Sequence, residues 1–195
     1  MFVNTGKDLI DICNKENCSI WEYTLKCEAE NSGLSEEQVF EKMKKNLDVM
    51  KESTSFALKN KIKSVSGLIG GDALKLNAYV EKNNTLTGNF MVKAMARAIS
   101  CSEVNAAMGR IVACPTAGSC GILPAVVISA GEKLNKSDDD LVKALLTASG
   151  IGIIIAKNAT ISGAEGGCQA ECGSAAAMAS GAVVEMMGGD RKSVV

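Results

Sequence analysis

The sequence predicts an all-α fold, a bundle of packed helices joined by irregular loops rich in glycine and proline. Three observations lead there. Apolar residues recur at helical spacing along most of the 195 residues, and N-cap signals precede several of these runs. No stretch alternates apolar and polar residues as a half-buried strand does. Aromatic residues make up only 4% of the chain while small and aliphatic residues dominate, a composition that suits closely packed helices. At this length the chain is one domain or a piece of one, and it can bury a real core.

Residues 5–31 read as a helix with a break near Asn17, Thr5 as N-cap, and Leu9, Ile10, Ile12, Cys13, Ile20 and Trp21 on its apolar side. Asn31-Ser32-Gly33 stops it. Ser35 to Gln38 fits a capping box, and Val39, Phe40, Met43, Leu47, Met50, Thr54 and Ala57 then mark a long amphipathic helix over 36–59. Residues 60–72, NKIKSVSGLIGGD, form a loop whose end, Asp72, caps a short helix running to about Lys82. After a break at Asn83-Asn84, Thr87 or Asn89 opens Ala/Met/Val-rich helical pieces over 90–100 and 103–112. Further helices are expected at 122–134 and, behind the acidic cap Ser137–Asp140, at 138–157. The latter is apolar nearly all round and belongs at the centre of a larger body. A glycine-rich segment, 158–174, leads into a last helix over 174–187, which Gly188-Gly189 end.

Totals narrow the function classes. A net charge of −1 offers no basic surface for nucleic acid. Apolar stretches are interrupted well before the length a bilayer span needs, and the polar start is not a signal peptide. Eight cysteines without a secretion signal point to a reducing cytosol, where thiols are metal ligands or buried apolar residues more often than disulfides. The chain has no histidine, which excludes Ser-His-Asp and Cys-His mechanisms within it and any His-ligated zinc.

Two segments carry chemistry. Residues 109–124, GRIVACPTAGSCGILP, hold two cysteines, two prolines and three glycines. Pro115 removes a backbone donor and pushes Cys114 away from the α region, so a fixed irregular turn is expected between two apolar runs. Its unpaired backbone groups need partners, and a bound carboxylate or anion is one; a tight helix–helix connection is the plainer reading. In NATISGAEGGCQAECGS, residues 158–174, Cys168 and Cys172 are four apart and can share a helical face. Such a pair can bind metal, although four ligands are the norm; small buried cysteines are the alternative. The loop at 60–72 combines lysines with glycines and could hold a carboxylate or phosphate, but it matches neither a P-loop nor GxGxxG, and a simple turn explains it as well.

Three blocks together, SGLIGGDALK at 66–75, NAAMGRIVACPTAGSCGILPAV at 105–126 and ISGAEGGCQAECGSAAAMAS at 161–180, resemble the α subunit or α domain of the iron–sulfur-dependent L-serine dehydratases. That family converts L-serine to pyruvate and ammonia without pyridoxal phosphate. The resemblance implies a [4Fe–4S] cluster held by three cysteines, with one open iron acting as a Lewis acid on the substrate. Carried over by position, Cys168 is the first cluster ligand and Cys172 a further possible one. Cys114 and Cys120 look incidental. Pro115, Thr116, Ala117, Gly118 and Ser119 would hold the serine, and Lys63, Ser66, Gly67 and Gly70 would line or support the pocket. The catalytic base is not identified. A separate β subunit, an oligomeric assembly and a cytoplasmic location are also implied. Alternatives are an iron–sulfur L-cysteine desulfidase-like lyase and a non-catalytic helical partner subunit.

Residues 190–195, DRKSVV, depart from the family pattern and equal the translation of a common sequencing-adapter read. They are expected to be a non-native tail on a catalytic domain, residues 1–189, that is incomplete at its C-terminus. The remaining cluster cysteines would then lie beyond residue 195, and this chain alone would neither hold a cluster nor dehydrate serine.

Overall fold

The computed structural model describes residues 2–195. Among them the chain forms α1 (Gly6–Glu16), α2 (Ile20–Ser32), α3 (Glu36–Lys59), α4 (Asp72–Lys82) and α5 (Asn89–Ala106). A 3-10 turn (Ala117–Ser119) leads to α6 (Ile122–Lys133), α7 (Asp138–Asn158), α8 (Gly163–Gly166), α9 (Cys168–Met186) and α10 (Arg191–Val194). The fold is all-α, with no strand among the described residues.

Local sequence sets most helix boundaries. Ser35 and Gln38 form the expected capping box at α3, and Ser137 with Asp140 forms another at α7. A third box, Ser19 with Glu22, starts α2. Between α1 and α2, Asn17 takes the left-handed conformation that ends a helix, so the 5–31 segment is two helices. Ser19 and Asp140 boxes also hold charge: hydrogen bonds from Ser19 keep the Glu22 carboxyl below its ordinary range, and those from Ser137 do so for Asp140.

The core forms around α7, as its all-round apolar sequence demands. Leu141, Val142, Ala144, Leu145, Leu146 and Ala148 are buried there against Ala175, Met178, Ala179, Ala182 and Met186 of α9. Val39, Leu47 and Met50 of α3 and Leu123 and Val127 of α6 complete the layer. Fully burying a leucine of this kind contributes about 1.5–3 kcal/mol. Small residues let the helices approach: a Cβ on Gly181 of α9 would overlap the Ile151 side chain of α7. A second cluster joins Phe2, Leu9, Cys13, Ile20, Tyr23 and Cys27 with Val194 of α10. Arg191 of α10 donates to the Cys18 carbonyl at 2.7 Å and to Asn14 at 3.1 Å.

Three boundaries differ from the sequence-based expectation. Helix α5 is continuous through 101–102 but stops at Ala106, so 109–116 is not helical. Its end is fixed by Met108 at φ 61° and by the Gly109 amide bonding back to the Val104 carbonyl at 2.8 Å. Helix α9 starts at Cys168, six residues before the expected start at 174, because Gly167 at φ 78° ends the loop. Asp72 is the first residue of α4 and does not cap it; Glu103 of α5 does, accepting from the Asp72 amide at 2.6 Å and the Ala73 amide at 3.3 Å.

Candidate functional site

The segment between α5 and α6 has no regular structure over 109–116, contains a cis Cys114–Pro115 peptide bond, and folds into the 3-10 turn at Ala117. The Asn105 side-chain amide donates to the Ala117 carbonyl at 3.0 Å and ties the turn to the end of α5. Inside the turn the Ser119 and Thr116 hydroxyls lie 3.2 Å apart. Ala117 and Gly118 are exposed, Pro115 and Thr116 half-buried, and Ser119 buried. The cysteines flanking the turn point inward. Cys114 donates to the Val112 carbonyl and Cys101 to the Cys120 carbonyl, and burial pushes the Cys114 thiol up to about 12. Both thiols that flank the turn are buried.

The start of α9 meets this turn. Cys168, Glu171 and Cys172 lie at i, i+3 and i+4, hence on one face. The two sulfurs are 3.6 Å apart, and one donor atom from each of the three residues falls within 4.8 Å of the others. Cys168 is exposed and Cys172 half-buried. The hydrogen bond with Cys168, then burial, raises the Cys172 thiol. Glu171 reaches the turn: its Oε2 accepts from the Thr116 hydroxyl at 2.7 Å. Gly118 and Gly163 flank the same carboxylate. A Cβ on Gly118 would lie 2.9 Å from Glu171 Cδ, and one on Gly163 would lie 3.0 Å from it. Two glycines therefore make room for one carboxylate between two loops.

The 60–71 loop docks on the end of α5. The Val65 amide donates to the Ala106 carbonyl at 3.2 Å, one residue from the Asn105 that holds the 3-10 turn. Within the loop the Ser64 and Ser66 hydroxyls are 3.1 Å apart, and Ser64 accepts from the Ile69 amide at 3.0 Å. Lys63 is exposed with its Nζ against Gly67, and Gly70 sits at φ 139° under the Ile62 carbonyl. The geometry thus joins Thr116, Gly118 and Ser119 to Glu171 and the thiol pair. Lys63, Ser66, Gly67 and Gly70 stand on a neighbouring loop that shares the α5 end, with no hydrogen bond to the turn among the described residues. Glu171, Asn105 and Glu103 escaped the sequence reading. For Glu171 a signal existed, its spacing of three from Cys168 on a common face.

Comparison with known proteins decides the family. A family model described as serine dehydratase alpha chain matches residues 15–195. The chain belongs to the serine dehydratase alpha chain family. It is 46% identical over 187 residues to the L-serine dehydratase alpha chain of Peptoniphilus asaccharolyticus, covering 96% of this chain and 64% of that one. It is 43% identical over 189 residues to a probable L-serine dehydratase alpha chain of Bacillus subtilis, covering 97% and 62%. An L-serine dehydratase of Mycobacterium bovis is 35% identical over 206 residues, with 97% of this chain and 42% of the relative covered. The chain therefore spans about two thirds or less of the length of these relatives.

The resemblance to iron–sulfur-dependent L-serine dehydratases implies a cluster. Clusters are held by cysteine thiolates. Cys168 fits as a ligand: it is exposed and starts a 19-residue helix whose positive dipole end faces it. Cys13, Cys27, Cys101, Cys114 and Cys120 are buried and do not fit.

No described helix is long and apolar enough to cross a membrane.

Proposed function

We propose that the whole protein is the α chain of an L-serine dehydratase, a carbon–nitrogen lyase that deaminates L-serine to pyruvate and ammonia. The observation that carries the reading is the junction of the 115–119 turn with the start of α9 through Thr116 and Glu171. In it a polar turn meets a helix start that presents an exposed thiol.

Thr116 directs its hydroxyl hydrogen to Glu171 and can accept from Ser119, so one oxygen lone pair stays available to accept from a substrate ammonium group. The exposed backbone at Ala117 and Gly118 takes the substrate carboxylate, for which a residue without a side chain at 118 leaves close access. Ser119, buried beneath, supports Thr116 from inside the turn. Lys63, Ser66, Gly67 and Gly70, on the neighbouring loop that shares the α5 end, would support the pocket, and Lys63 would add positive charge. Cys168 would hold a [4Fe–4S] cluster, which when bound supplies Lewis acidity toward the substrate hydroxyl. A separate β subunit completes the enzyme, and the family name, alpha chain, supports that expectation. Eight free thiols suit a reducing cytoplasm.

The test is anaerobic purification of the α chain together with its β subunit, iron and sulfide analysis, and pyruvate formation from L-serine. Iron with serine-dependent pyruvate is expected, and both are expected to be lost in Cys168→Ala. Iron-free protein, or sulfide release from L-cysteine without pyruvate from L-serine, overturns the reading.

A further inference from the structure

Asn105 has no part in the reading above, yet its side chain holds the turn on which that reading depends. We propose that Asn105 is a positioning residue for the substrate carboxylate, acting through the Ala117–Gly118 peptide. The inference rests on the dehydratase reading, which puts that carboxylate at this peptide.

The Asn105 side-chain amide donates to the Ala117 carbonyl at 3.0 Å. A second donor to that oxygen, the Cys120 amide, stands 3.4 Å away, beyond the range of a strong bond. Asn105 is thus the main hold on this carbonyl. A trans peptide is planar, with its C=O and N–H on opposite sides. Drawing the Ala117 carbonyl toward the end of α5 therefore turns the Gly118 N–H away from it. That N–H donates to no protein group among the described residues, and Gly118 is exposed. One side-chain hydrogen bond thereby aims a free backbone donor at the place where the carboxylate is to sit.

Asn105 can do this because its own backbone is fixed. Its carbonyl accepts from the Met108 amide at 3.0 Å, and the Val104 carbonyl accepts from the Gly109 amide at 2.8 Å. Two residues before it, Glu103 is buried and bound to the start of α4. One residue after it, the Ala106 carbonyl holds the 60–71 loop through the Val65 amide. A donor oriented by so rigid a post is in place before substrate arrives, and binding need not order it. Residue type matters as much as position. Alanine at 105 would release the Ala117 carbonyl. Aspartate would set a carboxylate against it, two acceptors facing each other, and favour a rotated peptide.

The experiment is steady-state pyruvate formation from L-serine by the complete enzyme, the α chain with its β subunit, beside thermal melts. The variants are Asn105→Ala, Asn105→Asp and, on the exposed side of the same helix, Ser102→Ala. Losing an interaction made equally with substrate and transition state raises KM and leaves kcat. Asn105→Ala should raise KM about fivefold and Asn105→Asp about twentyfold, each with kcat within about twofold of the parent. Ser102→Ala should change neither constant. Alanine suits a helix interior, so Asn105→Ala answers the question even if Asn105→Asp does not fold. A parent enzyme that makes pyruvate, with KM unmoved in Asn105→Ala while kcat and melting temperature fall, shows a merely structural residue and overturns the inference alone. A KM for folded Asn105→Asp no higher than for Asn105→Ala does the same. A parent enzyme that makes no pyruvate from L-serine overturns the dehydratase reading and this inference with it.

Discussion

Thr116 and Glu171, 55 residues apart in sequence, are joined by a 2.7 Å hydrogen bond in which the threonine donates. The bond couples the 115–119 turn to the helix that presents Cys168, and each partner is half-buried. Thr116→Val removes the donor and keeps the shape. The fold should lose only about 1 kcal/mol, the usual worth of such a bond. Serine turnover by the complete enzyme should fall at least tenfold in kcat/KM, whereas Thr116→Ser, which restores the hydroxyl, should recover most of it. Steady-state pyruvate assays beside urea melts check both halves, and equal kinetics for valine and serine would remove Thr116 from the site.

Gly118 in the candidate site and Gly70 on the neighbouring loop should respond differently to alanine. A Cβ at Gly118 overlaps the carboxylate of Glu171, the end of a flexible side chain that can swing aside. Gly118→Ala should therefore fold with a stability change of about 1 kcal/mol or less while breaking the Thr116 bond and the activity. Gly70 lies at φ 139°, and its Cβ would strike the Ile62 carbonyl and stand 2.9 Å from Lys63 Cα. Backbone cannot swing aside, so Gly70→Ala should cost about 2 kcal/mol or more through strain and clash. Chemical denaturation of the two variants separates these outcomes.

The contrast between helices and site shows what the sequence could disclose. Capping boxes at Ser35 and Ser137 were legible because the partner is three residues away. The same spacing at Ser19 and Glu22 was obscured by an apolar pattern that continues from α1 into α2, across the left-handed Asn17. Glycines misled at the start of α9: Gly167 ends the loop, but Gly173 lies inside the helix with open space beside it. The turn at 115–119 and the thiol pair were found from their residue types and the family resemblance. Their junction was not, because it is made by Glu171 and Thr116 through packing of distant elements. The tail expected to be non-native forms α10, with Val194 buried beside α1.

Glu103 is the other long-range device. It is 2% exposed, caps α4 from α5 through Oε1, and leaves Oε2 without a protein partner. Glu103→Ala frees two helix N-terminal amides in a region that water reaches poorly, and should cost about 2–3 kcal/mol. Hydrogen exchange should localise the loss to α4 and the 60–71 loop, with Val65 and Asp72 amides exchanging faster. A uniform loss over all helices would instead mean that the residue serves general packing.

Glu185 sets a pH dependence that the capping acids oppose. Burial holds its carboxyl above the ordinary carboxylate range, offset in part by the Thr147 hydroxyl at 2.6 Å and reinforced by Glu22. The folded state thus binds this proton more tightly than the unfolded chain. Its contribution is fully present below the ordinary glutamate pKa and is lost as pH rises through the raised value. Glu22 and Asp140 run the other way, because their lowered values give stability that disappears as pH falls through them. Glu185→Gln keeps an acceptor for Thr147 but no longer titrates. Its melting temperature relative to the parent chain should therefore improve steadily from pH 4 toward pH 7. Thr147→Val leaves the carboxylate without its donor, so it should lower stability by about 1–3 kcal/mol at neutral pH and steepen the same slope. Thermal melts of the three proteins across that range decide it, and parallel curves for parent and Glu185→Gln would show that the raised carboxyl does not govern stability.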